Sequence, residues 1–223
     1  MLVWILDVVA GALTCEAMDH RKECHRWYFP SRFSRTILSS DSQSIDVYVD
    51  LFARKYPFMG DACNVRQIFV PVNDRNFHWF LVVMDVPTKK TYIVDSLPSV
   101  DQTLREDMAT KIVGVIEAMC KHIAATNAMI YDPSWPHSRP IEHLPVRRQP
   151  NLYDCGLYVI AYQRDWDLLL ENPATFGLDR NYRRHVLSCS VHITIQVNGE
   201  ISLYGKYQKN GHFLANAPCS SHL

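Results

Sequence analysis

The chain has 223 residues, 23 acidic and 23 basic side chains, and a formal net charge of zero. That length makes one well-buried domain and falls short of two comfortable ones, and the balanced charge excludes the basic footprint of a dedicated nucleic-acid binder. Seven cysteines, an odd number with no Cys-x-x-Cys pair, point to free thiols in a reducing compartment rather than a disulfide scaffold.

Met1 to Ala10 is apolar, but it lacks a positive n-region and carries Asp7 inside the apolar run. It reads as an amphipathic core helix over residues 2–13, not as a signal peptide or a membrane span. The expectation is a soluble, intracellular protein. Residues 14–34 read as irregular, with Pro30 and a polar cluster of Cys15, His20, Cys24 and His25. The spacing of that cluster fits no usual zinc pattern, so no metal is expected. Asp46 to Arg54 reads as a short helix.

From Gln67 the pattern changes to strands. Ile68 to Val72, His78 to Val86 and Thr91 to Asp95 are β-branched and aromatic runs bounded by turn residues. Pro87-Thr88-Lys89-Lys90 is short enough to join the last two as a hairpin. Both are apolar on successive residues, which predicts burial on both faces in the middle of a sheet.

A long helix follows, with Ser99 and Gln102 as a capping box. Leu104, Met108, Ile112, Ile116, Met119 and Ile123 form its apolar stripe. Tyr131 to Pro140 reads as a loop, Ile141 to Arg148 as an edge strand, and Cys155 to about Leu170 as a second, deeply buried helix. Beyond Pro173, Ile193 to Tyr204 alternates around Asn198-Gly199, a hairpin signal, and the last dozen residues read as disordered. The arginine pairs 147–148 and 183–184 read as solvated surface.

Cys155 stands where a polar loop turns into an apolar helix, so its thiolate faces the positive end of the helix dipole. A nearby imidazole would complete a cysteine hydrolase. His78 supplies one at the mouth of a hydrophobic strand, and Asp95 ends the next strand with a carboxylate. In this reading Cys155 is the nucleophile and His78 takes its proton and later protonates the leaving amine. Asp95 fixes the imidazole tautomer, and Gln149 donates its amide N–H to the oxyanion beside the Cys155 backbone N–H. Taken singly, each has a bland reading: a buried inert thiol, a strand-end histidine, a turn former, a loop glutamine. The joint pattern carries the assignment.

Phe69-Val70-Pro71-Val72, His78-Trp79, Val94-Asp95-Ser96-Leu97, Gln149 and Asp154-Cys155-Gly156 resemble the ubiquitin-like protease family. These are the Ulp/sentrin-type SUMO proteases, C48-like cysteine peptidases, and the resemblance is to a plant-type divergent member. The seventeen-residue step from His78 to Asp95 and the six-residue step from Gln149 to Cys155 both match that family's pattern. Trp4-Ile5-Leu6-Asp7 is similar to the family's Trp-Leu-Asn-Asp segment, with Leu6 in place of a polar residue. The resemblance covers residues 4–170.

It implies a papain-like α+β fold with a central mixed sheet flanked by helices and the cysteine at a buried helix N-terminus. On this basis residues 1–175 are the catalytic domain and 176–223 a divergent extension, a hairpin and then a disordered tail. The implied activity is cleavage after the C-terminal Gly-Gly of a ubiquitin-like modifier, SUMO first, from lysine side chains or from a precursor. Trp79 and Trp4 would form a tunnel of two indoles that passes only glycine, and Asp7 would meet a basic residue of the modifier. No cofactor is implied. The partners are SUMO or another ubiquitin-like modifier and its conjugates, without nucleic acid or membrane, for a monomer in the nucleus or cytoplasm. The alternatives are a protease for another modifier or peptide, and a catalytically weak modifier-binding domain.

Overall fold

The computed structural model describes residues 2–19, 25–39, 43–53, 65–75, 77–98, 102–127, 140–178, 191–195, 201–205, 208–209 and 212–213. The chain divides into two compact units, Met1–Gly177 and Leu178–Leu223.

In chain order the first unit comprises α1 (Leu2–Asp19), β1 (Arg26–Tyr28), α2 (Ser31–Leu38) and α3 (Ile45–Tyr48), which runs into a π-helical turn at Val49–Ala53. Then come β2 (Gln67–Asp74), β3 (His78–Asp85), β4 (Lys90–Val94), α4 (Gln102–Asn127), β5 (Ile141–Leu144), α5 (Cys155–Arg164) and α6 (Trp166–Glu171). The five strands form one mixed sheet in the order β1-β2-β3-β4-β5. The outer pairs, β1 with β2 and β4 with β5, are parallel, and the two inner pairs are antiparallel.

Every residue of β3, the central strand, is buried. Its alternation is hidden in the sequence because both faces are covered. Phe80, Val82 and Met84 join Ile68, Val70, Val72 and Ile93 in a core against α2 and α4, whose Phe33, Ile37, Ile112, Ile116 and Met119 complete it. On α4 the buried stripe runs through Arg105, Ala109, Ile112, Ile116, Met119 and Ile123. Leu104 and Met108, expected in that stripe, are only half-buried. A cation therefore occupies the first core-facing position of this helix. Pro71 lies past the last β1 pairing, Tyr28 with Phe69, where β2 has one strand neighbour.

The expected irregular stretch at 14–34 is corrected: it holds the end of α1, all of β1 and the start of α2. Three-residue β1 owes its existence to its pairing with β2, and α2 to burial of Phe33 and Ile37 one turn apart. Pro30 precedes α2 and offers no capping side chain. The cap comes from elsewhere: Asp7 Oδ1 on α1 accepts the Ser31 N–H at 2.6 Å. Asp7→Ala is therefore expected to lower stability by about 1–2 kcal/mol, measured by denaturant unfolding.

The second expected helix is also corrected. It breaks at Asp165 (φ −110°, ψ 34°), where the Asp165 carboxylate accepts two bonds from the Arg164 guanidinium, at 2.9 and 2.7 Å. α6 then turns Trp166 and Leu169 into the interior. Within the second unit, β6 (Val191–Ile195) and β7 (Ile201–Gly205) pair antiparallel. A second short pair joins β8 (Gln208–Lys209) and β9 (His212–Phe213). The Ser99 cap, the loop before Pro140, His20, Cys24, the Asn198-Gly199 turn and residues 214–223 lie outside the described residues.

Candidate active site

The site is assembled at one end of the central strands. His78 is the first residue of β3, entered by a turn in which the Phe77 N–H donates to the Asp74 carbonyl at 2.9 Å and Arg75 takes the left-handed conformation (φ 49°). Asp95 follows the last residue of β4, the neighbouring strand. His78 Nε2 lies 2.7 Å from Asp95 Oδ1, both side chains buried. A carboxylate only accepts, so Nε2 carries the proton and Nδ1 is left for another partner. The His78 ring also acts on Cys155, lowering its thiol pKa.

Cys155 is the first residue of α5, with Asp154 at the N-cap. The Asp154 carbonyl receives the N–H of Leu157 at 2.8 Å and of Tyr158 at 3.1 Å, so the first turn is closed behind the thiol. Burial pushes the thiol pKa up. The His78 hydrogen bond, the backbone N–H of Trp79, the charge of His78 and the Gly156 N–H outweigh it, and the net pKa lies below the ordinary thiol value. Cys120, buried in the core near Glu117, goes the other way and is pushed up to about 12.

Gln149 is buried beside the residue after Asp95. Its backbone N–H donates to the Ser96 carbonyl at 2.8 Å, and its Oε1 accepts from Ser96 Oγ at 2.5 Å. Its Nε2 donates to the Asn151 carbonyl at 2.5 Å. A flipped amide would set Oε1 against that carbonyl, so the two contacts select one orientation, and the second Nε2 hydrogen stays available. The loop from Gln149 to Cys155 is organised by Asn151. Its Oδ1 accepts from the N–H groups of Tyr153 and Asp154, both at 3.0 Å, and its Nδ2 donates to Asp154 Oδ2 at 2.6 Å. Sequence reasoning passed over Asn151 and Ser96, although an asparagine two to three residues ahead of backbone N–H groups is a known turn signal.

Arg105 was also missed. It is buried at the start of α4 and ion-pairs with Asp95 Oδ2. Of the residues the family resemblance implies for substrate, Trp79 is buried next to His78, and Trp4 on α1 is 57 % exposed. Asp7 has Oδ1 engaged with Ser31. Three large apolar side chains adjoin the chemistry and face solvent: Phe77 (87 % exposed) directly before His78, and Leu152 and Tyr153 shortly before Cys155. Among the described residues no cluster of three or more His, Cys, Asp or Glu side chains is placed to hold a metal ion.

Residues 29–164, more than half of the chain, match the Ulp1 protease family, C-terminal catalytic domain. The chain belongs to this family. Over 93 residues it is 30 % identical to the ubiquitin-like-specific protease 1 of Saccharomyces cerevisiae, a match covering 42 % of this chain and 13 % of that relative. Its structure is similar to the C-terminal Ulp1 protease domain in complex with Smt3, the yeast orthologue of SUMO. The TM-score is 0.56 at 22 % identity, covering 82 % of this chain and 70 % of the other. It is similar too to the Xanthomonas campestris effector XopD bound to ubiquitin, with a TM-score of 0.55 at 17 % identity over 84 % of this chain and 89 % of the other. The five-stranded mixed sheet with flanking helices is thus the papain-like fold of Ulp1 family catalytic domains.

Proposed function

We propose that this chain is a cysteine peptidase that cleaves after the C-terminal Gly-Gly of a ubiquitin-like modifier, with SUMO as its first substrate. The observation that carries this reading is the buried His78–Asp95 hydrogen bond beside Cys155, which opens a buried helix and whose thiol pKa His78 lowers. Membership of the Ulp1 protease family and the likeness to a Smt3 complex support the substrate class.

The thiolate sulfur attacks the glycine carbonyl carbon and the carbonyl oxygen becomes an oxyanion. The Gln149 Nε2 hydrogen left free by Asn151 and the Cys155 backbone N–H are its donors. The C–N bond breaks as the His78 imidazolium protonates the leaving lysine amine, leaving a thioester on Cys155. His78, neutral again, takes a proton from water, which attacks the thioester and releases the modifier carboxylate and the thiolate. Trp79 and Trp4 are assigned to the indole walls around the Gly-Gly backbone, where a side chain on either residue would clash. Asp7 Oδ2 is assigned to a basic residue of the modifier. Phe77, Leu152 and Tyr153, all exposed, are assigned to contact with the protein that bears the modified lysine. Residence in the nucleus or cytoplasm follows from such substrates.

The test is turnover of Gly-Gly-linked fusions of SUMO, ubiquitin and other ubiquitin-like modifiers. SUMO is expected to be released fastest. Folded protein that binds modifiers and cuts none of them contradicts the peptidase reading. Within that assay Gln149→Ala should lower kcat by about 100-fold with little change in KM. Ser96→Ala, which frees the amide to rotate, should lower kcat by about tenfold, again without a matching rise in KM.

A further inference from the structure

We propose that Arg105 is a positioning residue for the catalytic pair, a buried guanidinium that fixes the plane of the Asp95 carboxylate and through it the His78 ring. The proposal rests on the cysteine-peptidase reading above. Asp95 Oδ1 already serves two donors, His78 Nε2 at 2.7 Å and the Leu97 N–H at 2.8 Å. One oxygen alone leaves the carboxylate free to swing about its own axis. Arg105 removes that freedom by taking Oδ2 in an ion pair. It also closes a ring, because Nη1 donates to the Leu97 carbonyl at 3.3 Å while the Leu97 N–H donates to Asp95.

The same guanidinium reaches the other half of the pair. Its Nε lies 4.0 Å from Asp74 Oδ2, and Asp74 stands opposite His78 in the β2–β3 register. It stacks over the Phe80 ring at 5.4 Å, two residues on from His78. Arg105 therefore braces both strand ends that present the imidazole and the carboxylate. Its place is set by α4, whose core-facing stripe it begins. Lysine has a similar charge but no planar group to hold Asp95 and the Leu97 carbonyl through one nitrogen while Nε faces Asp74 and the plane covers Phe80.

The charge matters as well as the shape. The groups around Asp95 are His78 from β3, Asp74 from the end of β2 and Arg105 from α4, with Cys155 of α5 under the influence of His78. Without the guanidinium, the buried Asp95 and the half-buried Asp74 would have only the imidazolium to balance them. That loss and a loosened His78 both disfavour the Cys155 thiolate.

The experiment measures alkylation of Cys155 by iodoacetamide across pH, followed by peptide mass spectrometry, which needs no modifier substrate. In Arg105→Met the midpoint is expected to rise by roughly half a unit to one unit. On the modifier substrate kcat should fall about tenfold or more with KM little changed. Arg105→Lys should keep the wild-type midpoint and recover part of kcat. Since Arg105 acts through Asp95, Arg105→Met should cost less than about twofold in the Asp95→Asn background. Where Arg105→Met alone does not fold, Arg105→Lys and the doubly neutral variant carry the test, the latter removing both charges together.

An unchanged midpoint in folded Arg105→Met, or the same loss of kcat in both backgrounds, would show a core ion pair with no catalytic role. Wild-type Cys155 that alkylates only in the ordinary thiol range would instead bring down the peptidase reading on which this rests.

Discussion

Cys155→Ala is expected to lower kcat/KM on a Gly-Gly modifier substrate by about a million-fold, leaving no measurable turnover over background. The size follows from the proposed role, in which the sulfur is the atom that forms the thioester. Cys120, the other thiol whose surroundings are described, is sealed in the α4 core and held protonated by burial. Cys155→Ser should be nearly as damaging, because a hydroxyl does not form the ion pair that the His78 contact favours. Modifier binding should survive in the alanine variant, since the proposed tunnel and Asp7 lie outside the substitution. Titration calorimetry with an uncleaved modifier separates lost chemistry from lost binding.

Asp95→Asn is expected to lower kcat by roughly 1,000- to 10,000-fold, as loss of the orienting carboxylate does in Ser-His-Asp enzymes. An asparagine amide keeps the shape but offers an N–H as readily as an oxygen toward His78 Nε2. The imidazole then moves its proton to Nδ1, the nitrogen that must take the thiol proton. Asparagine also leaves Arg105 as a buried cation without its partner. Breaking such a pair costs about 3–5 kcal/mol of stability, so Asp95→Asn should melt well below the wild type. Kinetics must be measured below that melting temperature, and thermal scans in parallel supply the check. A folded variant with kcat within tenfold of wild type would leave Asp95 without its assigned role.

Much of this was legible in the chain. β2, β3 and β4 announced themselves because strands covered on both faces must be apolar on successive residues, and α4 because Ile112, Ile116, Met119 and Ile123 recur at helical spacing. Cys155, His78 and Asp95 were legible because each sits at an element boundary where a polar residue interrupts an apolar run. What stayed hidden depends on partners distant in sequence. β1 is three residues that exist by pairing with a strand some forty residues later. The cap of α2 is Asp7, twenty-four residues upstream. Arg105 looks like a solvated charge until Asp95 and Asp74 are brought beneath it, although its spacing from Ala109 and Ile112 already placed it on the buried face. Gln149 was proposed as a donor from the sequence, but its orientation depends on Ser96, fifty-three residues upstream, and on the Asn151 carbonyl.

The most direct measurement is thiolate absorbance near 240 nm across pH, taken as the difference between wild type and Cys155→Ala and repeated in His78→Ala. A group whose pKa is lowered in the fold is ionised before an ordinary thiol is, so the wild-type step should fall below the ordinary thiol range of about 8.5. In His78→Ala the step should climb, because burial then acts with fewer opposing contacts. A wild-type step in or above the ordinary range, or one unmoved by loss of His78, would contradict a thiolate poised by its imidazole.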